Sequence, residues 1–288
     1  MIINNFYNSY GAVLTVAAAA AFTADVTILR YLDQHVPFSL IIFFRSISQL
    51  LIVSIWIALR PNLKFRSPRW IMLISRGVIS LICWWLYYLS FKKLDLALAS
   101  TLTFTTSLFV VTLAPIVLKE KLGWKRLLTS LIGFLGILLA SEMKGFNINL
   151  GILMGLGSAF AAAVLTFQNR LLISTENTST IMFWIGLVTT IGTFPAAAIY
   201  WVNVGITNIL ILSLAGLLGT LGMLMTVEAY RFGEVSYLAP FPYTRIIFAL
   251  FVGYFLFEEI ASLYEIIGAI IIIICGFIAS EKQQPKNL

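Results

Sequence analysis

Five ionisable residues, Asp25, Arg45, Arg76, Glu228 and Arg245, lie inside stretches of chain that are otherwise almost wholly apolar. In hydrocarbon each costs about 2.5–3.5 kcal/mol on insertion scales, so each needs a partner of opposite charge or a wet cavity. Carboxylates and guanidiniums placed in this way can pair, gate or bind ions. They do not by themselves make a catalyst. The chain has no Gly-x-Ser-x-Gly turn, no His pair on one helix and no Cys/His cluster, so no metal site, no cofactor and no enzymatic activity are expected. The absence of a Gly-Lys-Ser/Thr phosphate loop argues against ATP hydrolysis by the chain itself. Cys83 and Cys275 both sit in apolar runs and read as small buried hydrophobes, and His35, alone before Pro37, reads as a surface residue.

Depth sorts the charges, because a helix rises by a fixed step, about 1.5 Å, at each residue. Asp25, near the end of the first apolar stretch, and Arg45, early in the second, fall in one half of the membrane and are expected to form a structural or gating ion pair. Arg76 and Glu228 fall in the opposite half and are a second candidate pair. Arg76 can alternatively meet lipid phosphate, and Glu228 can reach to the interface. Arg245 falls near mid-membrane with no carboxylate at its depth, which makes it the candidate anion anchor. The competing reading has it bonded to helix carbonyls freed by Pro240 and Pro242. Those prolines lack an N–H and are expected to break the ninth span, or to kink it, where it approaches a cavity.

Trp84, Trp85, Tyr88, Phe104, Trp184 and Tyr243 offer flat apolar faces to a ring-bearing cargo or to packing against lipid and neighbouring helices. From these the candidate substrate-binding set is Arg245, Arg76, Trp84, Tyr88, Phe104 and Tyr243. Glycines at 133 and 136, 151 and 155, and 216, 219 and 222 recur every three or four residues and read as close helix contacts. Glu120 and Glu259 fall where a fifth and a tenth helix begin, as capping residues or functional acids.

The elements that carry these residues follow from composition. Of 288 residues, 60% are hydrophobic and 11% charged, with a mean hydropathy of +0.97, so one globular core cannot hide the apolar surface. A helix needs about 20 apolar residues to cross the bilayer. Ten stretches qualify, near 10–29, 37–58, 70–89, 96–118, 124–141, 150–172, 180–201, 206–230, 236–256 and 263–280. No room remains for a soluble domain, and the first stretch reads as a retained span rather than a cleaved signal. The net charge of +7 is scattered over short connections and forms no stripe, which argues against a nucleic-acid partner. With the N-terminus inside, twelve Lys and Arg fall in cytoplasmic gaps and four in outer ones, so both termini are expected in the cytoplasm.

Laid over itself without a gap, the chain sets 85–120 against 224–259, pairing Phe91-Lys92 with Tyr230-Arg231 and, farther back, Gly77 with Gly216. With five spans on each side this predicts a duplicated unit, 10–141 and 150–280. Because five is odd, the second copy enters the membrane inverted. Two inverted five-helix repeats around a central cavity allow a site to open alternately to each side.

The stretch from Glu228 through Tyr230, Arg231 and Gly233 to Pro240, continuing past Tyr243 to Glu258 and Glu259, resembles the second-half signature of the drug/metabolite transporter superfamily, of the bacterial type with two EamA domains. The first half repeats it from Leu86 to Gly136, with Pro115 displaced and Thr101 where Pro240 would fall. Arg45 and Arg76-Gly77 also fit the pattern. The resemblance implies an all-α integral membrane fold of ten helices, a lipid-embedded monomer or homodimer in a bacterial inner membrane, and a small-molecule cargo held between the halves. Together with Arg245 it points to a secondary transporter of a small polar metabolite with a carboxylate, of the amino-acid or S-adenosylmethionine type. A riboflavin-type importer or a drug/metabolite exporter is the alternative.

Overall fold

The computed structural model describes residues 2–32, 36–60, 65, 67–91, 93, 96–119, 124–140, 150–258 and 262–280. His35, Glu120, Glu259 and Lys144 lie outside the described residues, as do the basic residues Lys64, Arg66, Lys92, Lys121, Lys282 and Lys286.

Among the described residues every regular element is helical. The order is α1 (Ile2–Leu32), α2 (Phe38–Ala58), α3 (Trp70–Phe91), α4 (Leu96–Val117), α5 (Trp124–Ala140), α6 (Leu150–Leu172), α7 (Thr178–Ile199) and α8 (Gly205–Phe232). A ninth span follows in three pieces, α9 (Val235–Leu238), a 3-10 turn (Phe241–Thr244) and α10 (Arg245–Phe257), and then α11 (Leu263–Ser280). The ten expected spans thus appear in order. The first is longer than its apolar segment, since α1 begins at Ile2 while the stretch apolar enough to cross runs Ser9–Ile28. Seven described helices meet the length and hydropathy of a crossing, with shorter apolar helices at Leu102–Val117 and Leu127–Gly136.

The turns between spans follow from local chemistry. Pro37, with φ −56°, precedes α2, where its fixed φ suits the chain's entry into a helix. Gly205 opens α8 at φ +69°, in the left-handed region that a side chain disfavours. Lys119 and Glu258 are left-handed too, both at φ 55°, and the overlay of the two halves sets one on the other. The two halves therefore end their fourth and ninth spans at equivalent residues in the same conformation.

Helix packing repeats the duplication. The main partners are α1 with α8, α3 with α6, α2 with α7, α5 with α11, α4 with α6, α1 with the broken ninth span, α2 with α8 and α3 with α7. Exchanging each span for the one five later converts this set into itself, since α1 against α8 becomes α6 against α3, and α2 against α8 becomes α7 against α3. Glycines allow the approach. A methyl group on Gly77 would stand 2.5 Å from Val188, one on Gly216 would stand 2.5 Å from Ser48, and Gly186 leaves no room before the backbone of Leu50.

Several threonines inside the bundle are met locally. The hydroxyls of Thr15, Thr23, Thr189, Thr193 and Thr220 each donate to the carbonyl four residues earlier. In hydrocarbon that bond keeps a lone hydroxyl from being stranded.

Candidate functional site

Asp25 on α1 and Arg45 on α2 form an ion pair, Nη2 to Oδ2 at 2.9 Å, with the Asp25 side chain fully buried and that of Arg45 23% exposed. Asp25 Oδ1 accepts no hydrogen bond from the described residues. The pair lies against α8 at Gly219, where an added Cβ would stand 2.8 Å from Arg45 Nε and 3.1 Å from Asp25 Oδ2. The guanidinium of Arg45 also faces two rings, with Cζ 5.4 Å from the centroid of Trp84 and 6.0 Å from that of Phe22.

Arg245 begins α10, in the middle of the ninth span. Its side chain is half-buried and has no hydrogen bond or ion pair with the described residues. Its Cζ stands 5.9 Å from the centroid of the same Phe22 ring, and its charge acts on Asp25. The expectation that no carboxylate lies at the depth of Arg245 is therefore corrected. The break explains the offset. Pro240 caps a 3-10 turn. Such a turn rises about 2.0 Å per residue, against about 1.5 Å in an α-helix, and so carries Arg245 farther along the membrane than an unbroken helix would. The alternative partners, carbonyls freed by the prolines, do not bond Arg245 among the described residues.

The other expected pair is not formed. Arg76 is only 1% exposed, and its Nε donates to Asn169 Oδ1 at 2.9 Å while Nη1 donates to Ser80 Oγ. Its remaining nitrogen faces the sulfur of Met223 at 4.0 Å. Arg76 thus turns to α6, and its burial excludes the lipid-phosphate reading in this structure. Glu228 instead accepts from Thr178 Oγ1 and stands 3.3 Å from Arg231 Nε. Arg231 also donates to the carbonyls of Ile173 at 2.9 Å and Glu176 at 2.7 Å, closing the α6–α7 connection against α8. At the same end the halves are joined by Ser67 to Glu176 at 2.5 Å, Arg69 to the Leu171 carbonyl at 3.2 Å and the Trp184 indole to the Phe65 carbonyl at 3.0 Å.

The aromatic candidates divide. Trp84 faces the charged cluster. Tyr243 is fully buried, its hydroxyl donating to the Ser130 carbonyl at 3.2 Å and its ring filling the space that Gly133 leaves on α5, with Phe104 edge-on at 5.9 Å. Tyr243 and Phe104 are placed in packing between α4, α5 and the broken span. The side chain of Tyr88 lies outside those described. Phe22, not singled out from the sequence, joins the cluster, and Gly219, read from the sequence as a close helix contact, seats it. Phe22 stands three residues before Asp25, a spacing that puts both on one helix face, and this was the available signal. Asn169, in the polar run Gln168-Asn169-Arg170 that closes an apolar stretch, was the corresponding signal for the partner of Arg76. Among the described residues no group of three His, Cys, Asp or Glu stands close enough to hold a metal.

The half-open charged cluster lies between two like halves of an all-helical, multi-pass membrane protein. The model of the EamA-like transporter family matches the chain twice, at residues 9–142 and 149–280, and the chain belongs to that family. It is 24% identical to the S-adenosylmethionine uptake transporter of Rickettsia bellii over 87% of this chain and 86% of that protein. It is also 24% identical to the riboflavin transporter of Vibrio cholerae, over 80% and 78% respectively. A crystal structure superposes with a TM-score of 0.80 at 16% identity, covering 94% of this chain and 96% of the other, a likeness of fold.

Proposed function

We propose that this chain is a secondary transporter of an amino-acid-like metabolite of the S-adenosylmethionine type, with the substrate carboxylate bound by Arg245. The observation that carries the reading is the half-buried Arg245 side chain, unpaired among the described residues at mid-span. Two guanidiniums and one carboxylate leave Arg245 without a counter-charge of its own, and the carboxylate end of such a cargo supplies one locally. Arginine's planar fork suits that group. The face of Trp84 lies beside the cluster and suits a flat ring, so a ligand with a carboxylate at one end and a nucleobase at the other matches both features. The likeness to the Rickettsia bellii protein supports this cargo class.

The membrane is proposed to be a bacterial cytoplasmic membrane with both termini inside, on the twelve-to-four distribution of basic residues. Reporter fusions after Arg66 and Lys286 are expected to report the cytoplasm and one after Lys93 the outside. Cargo is tested by thermal shift of the purified protein with S-adenosylmethionine, its carboxamide, free amino acids and riboflavin, followed by uptake of the radiolabelled hit into proteoliposomes. S-adenosylmethionine is expected to raise the melting point and the carboxamide to do so far less. Stabilisation by riboflavin alone, or a flavin that copurifies as a yellow band, would replace this reading with the vitamin carrier.

A further inference from the structure

We propose that Phe22 is the positioning residue of the anion site, its ring holding the Arg245 guanidinium in place to receive the substrate carboxylate. The inference rests on Arg245 being the anchor. Arg45 has Asp25 at 2.9 Å, whereas Arg245 has neither hydrogen bond nor ion pair among the described residues. What Arg245 does have is the Phe22 ring, with Cζ at 5.9 Å, and Arg45 stands 6.0 Å from the same ring. An aromatic face is negative and attracts a guanidinium within about 6 Å, more strongly where water is scarce.

The ring is fixed in place. A Cβ on Gly222 would stand 3.0 Å from Phe22 Cδ1 and Cε1, so the ring lies flush against α8. Gly219, three residues earlier on the same helix, gives the same close seat to Arg45 and Asp25. Phe22 and Asp25 are themselves three apart on α1. The ring therefore keeps a set position relative to the ion pair, and through the ring so does Arg245. A long side chain held ready loses less conformational freedom when its ligand arrives. The ring meets the face of the guanidinium and a carboxylate meets its in-plane N–H groups, so the ring contact persists when the substrate binds.

The test replaces Phe22 with mono-, di- and trifluorophenylalanine, which drain charge from the ring face at nearly constant size, and with Leu, which removes the face. In ligand-free protein each added fluorine is expected to lower the melting point stepwise, to a total of about 3 °C. In an Arg245→Gln background the slope should fall by at least half. For S-adenosylmethionine uptake into proteoliposomes, KM should rise with fluorination to about five- to tenfold at three fluorines, with kcat moved less. Equal slopes in the two backgrounds, or a melting point that ignores fluorination while Leu lowers it, would show that Phe22 only fills the groove at Gly222 and would overturn the proposal. Should wild type neither bind nor take up S-adenosylmethionine, the cargo reading falls, and the ligand-free slopes still decide the contact between ring and guanidinium. Fluorinated variants keep the volume of Phe22, so they report even if Phe22→Leu does not fold.

Discussion

Two arginine sites lie within the membrane-spanning bundle, and they differ in how much of each guanidinium the protein itself satisfies. Arg76 is closed off, bonded to Asn169 and Ser80 and 1% exposed. The cluster of Arg45 and Arg245 is half-open, with one carboxylate for two cations and the second cation resting on a ring. A buried arginine is therefore not by itself a binding site. What distinguishes a site is hydrogen-bonding capacity left over and reachable. A guanidinium sealed among helices holds them together, whereas one that stays reachable awaits an anion.

The largest expected effect tests the open site. Arg245→Ala should cost about 2–5 kcal/mol in affinity for a carboxylate ligand, and Arg245→Lys less, as read by ligand titration on folded protein. Retention of full affinity by Arg245→Ala, with only turnover reduced, would move the anchor elsewhere and erase the contrast between the sites.

Arg76→Ala is the converse experiment. It strands the acceptor of Asn169 and leaves a cavity, so stability should fall by about 2–4 kcal/mol, read as a lower melting point, while affinity per folded molecule stays near wild type. A variant that folds normally and loses the ligand would make Arg76 a second anion site.

Within the open cluster, Asp25→Asn and Arg45→Gln should each lower the melting point, and the double change should cost less than the sum, with a coupling of about 1–3 kcal/mol. Strict additivity would mean that the ion pair adds nothing. The smallest effect belongs to the break. Pro240→Ala restores one N–H to the ninth span without touching the cluster and should change stability by about 1 kcal/mol or less, while raising KM through a shifted Arg245. An unchanged KM would separate the position of Arg245 from the 3-10 turn.

Much of the fold was legible in the sequence because burial in a bilayer imposes a length and a composition on every span. Ten apolar stretches and an overlay of the two halves are one-dimensional signals, and the helices and their pairing follow them closely. The ion pair of Asp25 and Arg45 was legible for the same reason, since adjacent antiparallel spans bring equal depths together. Contacts between distant spans were not. Arg76 and Glu228 share a depth but face different neighbours, and depth says nothing about which way a helix turns. Nor could the repeat supply the site, because the charges lie off it. The overlay sets Arg76 against Ala215. Sequence alone determined the scaffold, which is symmetric and set by hydropathy. Only the tertiary structure decided the site, because the rotation of α1 and α8 and the longer rise of the 3-10 turn bring Phe22, Gly219 and Arg245 to one place.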